Sequence, residues 1–417
     1  MSEKSVSTKS SFKQFTSAIN LTVLVAGLGY FVDMFDITLF GVVRVASLKD
    51  LGITDPQDIL RSGVLLYNAQ MIGMMIGGLL WGVWADKRGR LSVMFGSIVL
   101  YSLGNIANSF VWDVNSYAIC RFITGIGLAG ELGAAITLVA ESLPKETRGY
   151  GTTIVATLGL LGSVTAAYFG QHIAWKSAYI MGGVMGLLLL VTRFRVFESG
   201  MFEKTQNNNV ERGNLSMLMK KGRLLKYLKC IFMGIPVYFI TGVLFTFSPE
   251  LTQSLDVQGT VSAGNALLWG SVGLAMGDFI SGMLSQLLKS RNKAITVCLA
   301  VAFALILVYL NVKGLTADGI YFICFLLGSA AGYWAVLVTV SAEQFGTNIR
   351  GTVATTVPNF VRGAAALVVS MFLYLKTNFV TADKAALIVG GLFFVLALLS
   401  IWTLDETYGK DLDYFES

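Results

Sequence analysis

The fold class predicted for this chain is an all-α membrane protein of twelve transmembrane helices, arranged as two six-helix bundles related by pseudo-two-fold symmetry. Three observations predict it. Of the 417 residues 54% are hydrophobic and only 13% charged, whereas soluble domains carry about 25% charged residues. The apolar residues gather into runs of about 20, the length needed to cross a bilayer core. Finally, the chain repeats. The glycine-bounded charged turn Gly82-Val83-Trp84-Ala85-Asp86-Lys87-Arg88-Gly89-Arg90 has an eroded copy about half a chain later, Gly282-Met283-Leu284-Ser285-Gln286, followed by Lys289, Arg291 and Lys293.

Taken in order, residues 1–17 are polar and form an N-terminal tail. The apolar run that follows exceeds the 7–15 residues of a signal-peptide core, so it is expected to be a retained first span. An N-terminal bundle over 18–196 holds spans near 18–45, 62–84, 91–111, 115–141, 148–170 and 174–194. Residues 197–225 make a polar, partly amphipathic linker expected to rest on the membrane surface. A C-terminal bundle over 226–404 holds spans near 227–248, 261–288, 294–312, 317–341, 350–375 and 384–404, and 405–417 form a tail. Cytoplasmic termini place most lysines and arginines inside, Lys87, Arg88, Arg90, Arg193, Lys220, Arg291 and Arg350 among them. That matches the positive-inside rule. The net charge of +6 is thereby topology, and no nucleic-acid partner is expected.

The repeat extends to the ends of the fourth and tenth spans. Ala140-Glu141-Ser142-Leu143-Pro144-Lys145-Glu146-Thr147-Arg148-Gly149 is echoed by Ala342-Glu343-Gln344-Phe345-Gly346-Thr347-Asn348-Ile349-Arg350-Gly351. Parallel repeats about an axis along the membrane normal are one way to build a secondary transporter. Cys120, Cys230, Cys298 and Cys324 are scattered through apolar runs without metal or disulfide spacing and are expected to be core residues. There is no Walker loop and no nucleophile motif. No metal site, cofactor or enzymatic activity is therefore expected.

These motifs resemble the major facilitator superfamily. Gly82 to Arg90 is similar to its signature loop between the second and third spans, and Arg121 to Gly127 to its fourth-span motif. Asp33-Met34-Phe35-Asp36 with Gly41, and Ala129-Gly130-Glu131-Leu132-Gly133, resemble the metabolite/proton symporter branch. So does Phe197-Glu198-Ser199-Gly200, which has glycine where the branch has proline. The tail Asp405-Glu406-Thr407-Tyr408-Gly409-Lys410 resembles that of sugar and metabolite porters. The resemblance implies a monomeric carrier in a bacterial inner membrane, handling a small molecule and protons by alternating access.

Gating is expected where the halves meet the cytoplasm. Asp86 can cap a helix and pair with arginines such as Arg148, within a set comprising Gly82, Asp86, Arg90, Glu141, Arg148, Glu198, Gln286, Glu343 and Arg350. Gln286 replaces the acid in the second half, so the latch there is expected to be weaker.

Charges inside a membrane cost about 2.5–3.5 kcal/mol each on insertion scales and mark function. Asp33 and Asp36 lie three apart on one helical face, and neighbouring carboxylates resist double ionisation. With Arg121 and Glu131 they form the expected proton-coupling set, and the resemblance makes Asp36–Arg121 the preferred pair. Glu131 could instead touch substrate or bond a hydroxyl. Tyr67, Tyr238, Trp334, Asn359, Arg362 and Asp278 are the expected substrate residues; a mutual Asp278–Arg362 ion pair is equally compatible with the sequence. Arg44 is expected to snorkel to the outer surface, and the lone His172 to be incidental. Pro236 and Pro358 are expected bending points. The leading expectation is proton-coupled import of an organic acid, amino acid or betaine-like solute. Proton-driven export and a non-transporting membrane sensor are the alternatives.

Overall fold

A computed structural model describes residues 20–88, 90–131, 133, 135, 139, 143, 148–197 and 222–409. Among them, ten helices are long and apolar enough to cross a membrane. The first half supplies α1 (Leu21–Asp50), α2 (Pro56–Arg88), α3 (Arg90–Asn108), α4 (Val114–Leu128), α5 (Arg148–His172) and α6 (Trp175–Phe197). The second supplies α7 (Arg223–Phe239), the short α8 (Ser248–Thr252), α9 (Ala263–Leu287), α10 (Arg291–Asn311), α11 (Ala317–Ala331), α12 (Trp334–Glu343), α13 (Thr347–Asn378) and α14 (Ala382–Thr403). The two candidate spans outside the ten are α3 and the 15-residue α4, after which only scattered residues are described.

Polar side chains at the ends start several of these helices. Asn20 accepts from the Val23 N–H at 2.9 Å, Asp113 from Ser116 at 2.8 Å and Ser262 from Asn265 at 3.1 Å. Each satisfies an amide that the helix leaves orphaned, worth about 1 kcal/mol. Between the caps the apolar runs bury one face and turn large side chains such as Phe279, Leu287 and Trp402 outward, as expected of helices bathed in lipid.

Within the first half α1 lies against α5 and α6, and α4 against α2 and α3. The halves meet where α2 packs on α13 and α5 on α9. At the α2–α13 seam Asn68 donates to Ser370 at 2.7 Å, and Gly82 lies close enough to Thr356 that a β-carbon would sit 3.7 Å from its methyl group. We refer below to the Asp50 end of the bundle and to the opposite, linker end.

Three helices depart from the regularity expected. The tenth span, expected to be continuous over 317–341, breaks at Gly332-Tyr333 into α11 and α12. Glycines explain how the break fits: a β-carbon on Gly332 would lie 2.5 Å from the Gly277 Cα on α9, so backbone meets backbone there. The seventh span continues from α7 into a π-turn over Ile240–Phe245, four residues beyond Pro236. There Thr241 C=O accepts both the Thr246 N–H at 3.1 Å and its hydroxyl at 2.8 Å. Pro358 does not interrupt its helix, because α13 runs through it for 32 residues.

Candidate functional site

A cavity lies between the halves. Its wall comes from α1 (Tyr30, Met34, Thr38, Gly41), α2 (Tyr67), α5 (Leu160, Ser163), α7 and its π-turn (Tyr238, Thr241, Phe245), α9 (Ser271, Asp278) and α12 (Trp334). Glycine and the π-turn bring these elements close. A β-carbon at 242 would stand 2.5 Å from the Tyr67 hydroxyl, so the second span can touch the seventh only because residue 242 is glycine. Tyr238 and Trp334 meet edge to face with centroids 5.6 Å apart. Four of the six expected substrate residues, Tyr67, Tyr238, Trp334 and Asp278, line the cavity.

The other two stand behind that wall. Arg362, fully buried on α13, donates from Nε to the Tyr238 hydroxyl at 3.0 Å and from Nη1 to Asn359 at 3.4 Å. Its Nη2 pairs with Asp33 at 3.4 Å, and both side chains are inaccessible to solvent. Asn359 in turn donates to the Ala129 carbonyl at 2.9 Å. The pair therefore spans the two halves. The alternative Asp278–Arg362 pair is not formed. Asp278 accepts the Ala335 N–H at 3.1 Å instead, holding the start of α12 to α9.

The expected proton-coupling residues divide into two groups. Asp36 is fully buried, with Asn105 and Arg121 beside it. The preferred Asp36–Arg121 ion pair is not formed: Arg121 donates to Gln70 and stacks 4.8 Å above the Phe40 ring. Glu131 meets neither substrate cavity nor hydroxyl. It is bonded by both terminal nitrogens of Arg193, one at 3.1 Å, with both side chains fully buried. Arg193, expected at the cytoplasmic surface, is thus an interior residue of α6. The sequence hides this because only Thr192 separates Arg193 from the preceding apolar run.

Arg44 is also a correction. It does not snorkel. Its side chain is fully buried, pairs with Glu250 on α8 at 2.8 Å, donates to the Thr246 carbonyl at 3.1 Å and lies 4.4 Å over the Phe247 ring. This second interhalf ion pair stands at the Asp50 end. No sequence signal singled out Glu250, since an acid after Ser248-Pro249 looks like the first turn of a surface helix.

At the linker end the side chains of Asp86, Arg90, Arg148 and Arg350, and residues Glu141 and Glu198, lie outside the described residues. In the second half Arg291 pairs with Glu343 at 2.7 Å, and Gln286 accepts from the Tyr408 hydroxyl at 3.1 Å. Glu406 caps α10, taking the Ser290 hydroxyl and the N–H groups of Arg291 at 3.0 Å and Asn292 at 3.3 Å. Glu343 and Glu406 thus supply carboxylate contacts at this end of the second half, beside the bond between Gln286 and Tyr408. His172 is exposed, stacked on Tyr168 and bonded to its carbonyl.

A helical bundle in two halves, with a cavity between them and ion pairs across them, is the geometry of a carrier, and comparison with known proteins agrees. The family model of the Major Facilitator Superfamily matches residues 26–370. The chain belongs to the major facilitator superfamily. It is 25% identical to the sialic acid transporter NanX of Escherichia coli over 74% of this chain and 81% of that one. It is 27% identical to the 3-(3-hydroxy-phenyl)propionate transporter of the same species over 54% and 56%. In fold it is similar to the D-xylose-proton symporter, with a TM-score of 0.71 at 18% identity, covering 94% of this chain and 99% of that one. The chain is thus a multi-pass membrane transporter and not an enzyme.

Proposed function

We propose that this superfamily member imports a small carboxylate-bearing metabolite together with protons, through twelve spans with both termini in the cytoplasm. The observation that carries the reading is the buried Asp33–Arg362 pair, which joins the halves directly behind the cavity. A guanidinium is a bidentate partner for a carboxylate. While Asp33 is ionised it competes for that guanidinium. Protonating Asp33 releases Arg362, through the cavity residue Tyr238, to a substrate carboxylate. Substrate and proton then favour each other's binding, which is the coupling that symport requires.

Asp36, one turn further along α1, is the second proton site. Its carboxylate is fully buried and forms no ion pair with Arg121, and a charge buried without such a pair is costly. The names of the relatives are compatible with organic-acid cargo, both being transporters of carboxylates.

The test is uptake into proteoliposomes under an imposed inward proton gradient. Asp36→Asn should abolish gradient-driven accumulation while sparing exchange of substrate across the bilayer. Undiminished accumulation in that variant removes Asp36 from the mechanism. Everted vesicles separate import from export, because an exporter would fill them under the opposite gradient.

A further inference from the structure

The cavity wall is electrostatically one-sided. Among the described residues that line it there is no lysine, arginine or histidine, and the one carboxylate is Asp278. Arg362 is held behind the wall by Tyr238, Asn359 and Asp33. Opposite and around Asp278 the wall is aromatic: Tyr30, Tyr67, Tyr238, Phe245 and Trp334. An anion alone would meet Asp278 as a like charge in a low-dielectric space, which is repulsive. A cationic nitrogen would gain both the carboxylate and the electron-rich ring faces that recognise ammonium groups.

We infer that Asp278 is a specificity-determining residue that selects a cationic nitrogen on the substrate, making the cargo amphoteric: an ammonium group at Asp278 and a carboxylate reaching Arg362. The second half of that statement rests on the proposed function; the first rests on the cavity wall alone. Tyr30 lines the same cavity as Asp278. Asp278 is well placed to report an occupant to the rest of the carrier. The same carboxylate holds the Ala335 N–H at the break between α11 and α12, so a cation at Asp278 competes with the contact that ties α12 to α9.

The test is calorimetric binding to the purified full-length protein in lipid nanodiscs, using 4-(aminomethyl)benzoate, 4-methylbenzoate and benzylamine. The wild type should bind 4-(aminomethyl)benzoate at least about tenfold more tightly than 4-methylbenzoate. Asp278→Asn keeps an oxygen that can accept from Ala335 while removing the charge, and should bring that ratio toward one. Trp334→Leu, which removes ring surface and leaves Asp278, should lower the ratio in part, and keeps the inference testable if the first variant does not fold.

Equal binding of the first two compounds by the wild type, or an unchanged ratio in Asp278→Asn, overturns the assignment and leaves the carboxylate reading in place. If benzylamine binds as tightly as 4-(aminomethyl)benzoate, Asp278 stands and the carboxylate reading falls. Binding of none of the three overturns both.

Discussion

Buried arginines show how this molecule tolerates charge. Arg193 and Glu131 neutralise each other with both side chains inaccessible to solvent. Removing one partner of such a pair strands the other and costs about 3–5 kcal/mol, whereas replacing both by apolar groups is often neutral. Glu131→Ala should therefore lower the melting temperature sharply, and Glu131→Leu combined with Arg193→Met should recover most of it. Equal damage in the single and double variants would show that the pair is not what holds α6 at Glu131. A role for Glu131 in proton transfer would appear separately, as lost accumulation in the well-folded double variant.

At this scale the charges set within apolar runs are legible in the sequence, and their partners are not. Asp33, Asp36, Arg121, Glu131, Asp278 and Arg362 stand out because charge is rare in apolar runs. Their partners depend on helix rotation and on distant packing. Thus Arg362 pairs with Asp33, 329 positions away, and Arg121 turns to Gln70 instead of Asp36. Arg193 and Arg44 were misjudged for one reason: an arginine near the end of an apolar run looks alike whether its side chain reaches out to headgroups or back to an acid.

Among the elements, the broken span over α11 and α12 was invisible because its composition is that of an ordinary membrane helix. What breaks it is a neighbour, the glycine face of α9, whose Gly277 lets Gly332 approach to backbone contact. The π-turn after Pro236 was legible in kind, since a missing N–H disrupts the ladder, whereas Pro358 sits in an unbroken α13. Helix α10 offers a test at its own start. Burial would raise the Glu406 carboxyl, but the Ser290 hydroxyl and the amides of Tyr408, Arg291 and Asn292 outweigh it and hold the group below its ordinary value of 4.5. A carboxyl depressed in the folded state stabilises fully above its unfolded pKa, and that contribution is lost as pH falls through the lower folded value. Melting temperatures should therefore fall for the wild type as pH drops below about 4.5, with a shallower fall for Glu406→Gln. Parallel curves would remove Glu406 as the cap that matters.

For the whole molecule, ion pairs between halves restrain opening at two depths: Asp33–Arg362 behind the cavity and Arg44–Glu250 at the Asp50 end. Opening at the Asp50 end has to part Arg44 from Glu250 and from the Phe247 ring, leaving a guanidinium to rehydrate. Cysteines in place of Arg44 and Glu250 should therefore be bridged by a short bis-methanethiosulfonate reagent, arresting transport, and a reductant should restore it. Transport that continues unaltered in the crosslinked protein would mean that this end does not open. The many-span helical plan was legible because hydropathy is a property of the chain itself. The closure between bundles was not, since it is made by residues about 200 to 330 positions apart.

The charges sealed in the first half have an electrical consequence. Its described, fully buried acids are Asp33, Asp36 and Glu131, and its buried bases are Arg44, Arg121 and Arg193. Ionised throughout, the set sums to zero, so this bundle can tilt across the membrane potential without electrical work on these residues. A single proton on Asp36 leaves it with one net positive charge, worth about 2.3 kcal/mol per 100 mV if carried across the full field. With the carrier empty this bundle should therefore move without electrical work on these residues, while its proton-loaded step should be driven by the potential. Solid-supported membrane recordings would display this as a transient current that requires a proton gradient in the wild type, a requirement that Asp36→Asn, fixed at one net positive charge, should lose.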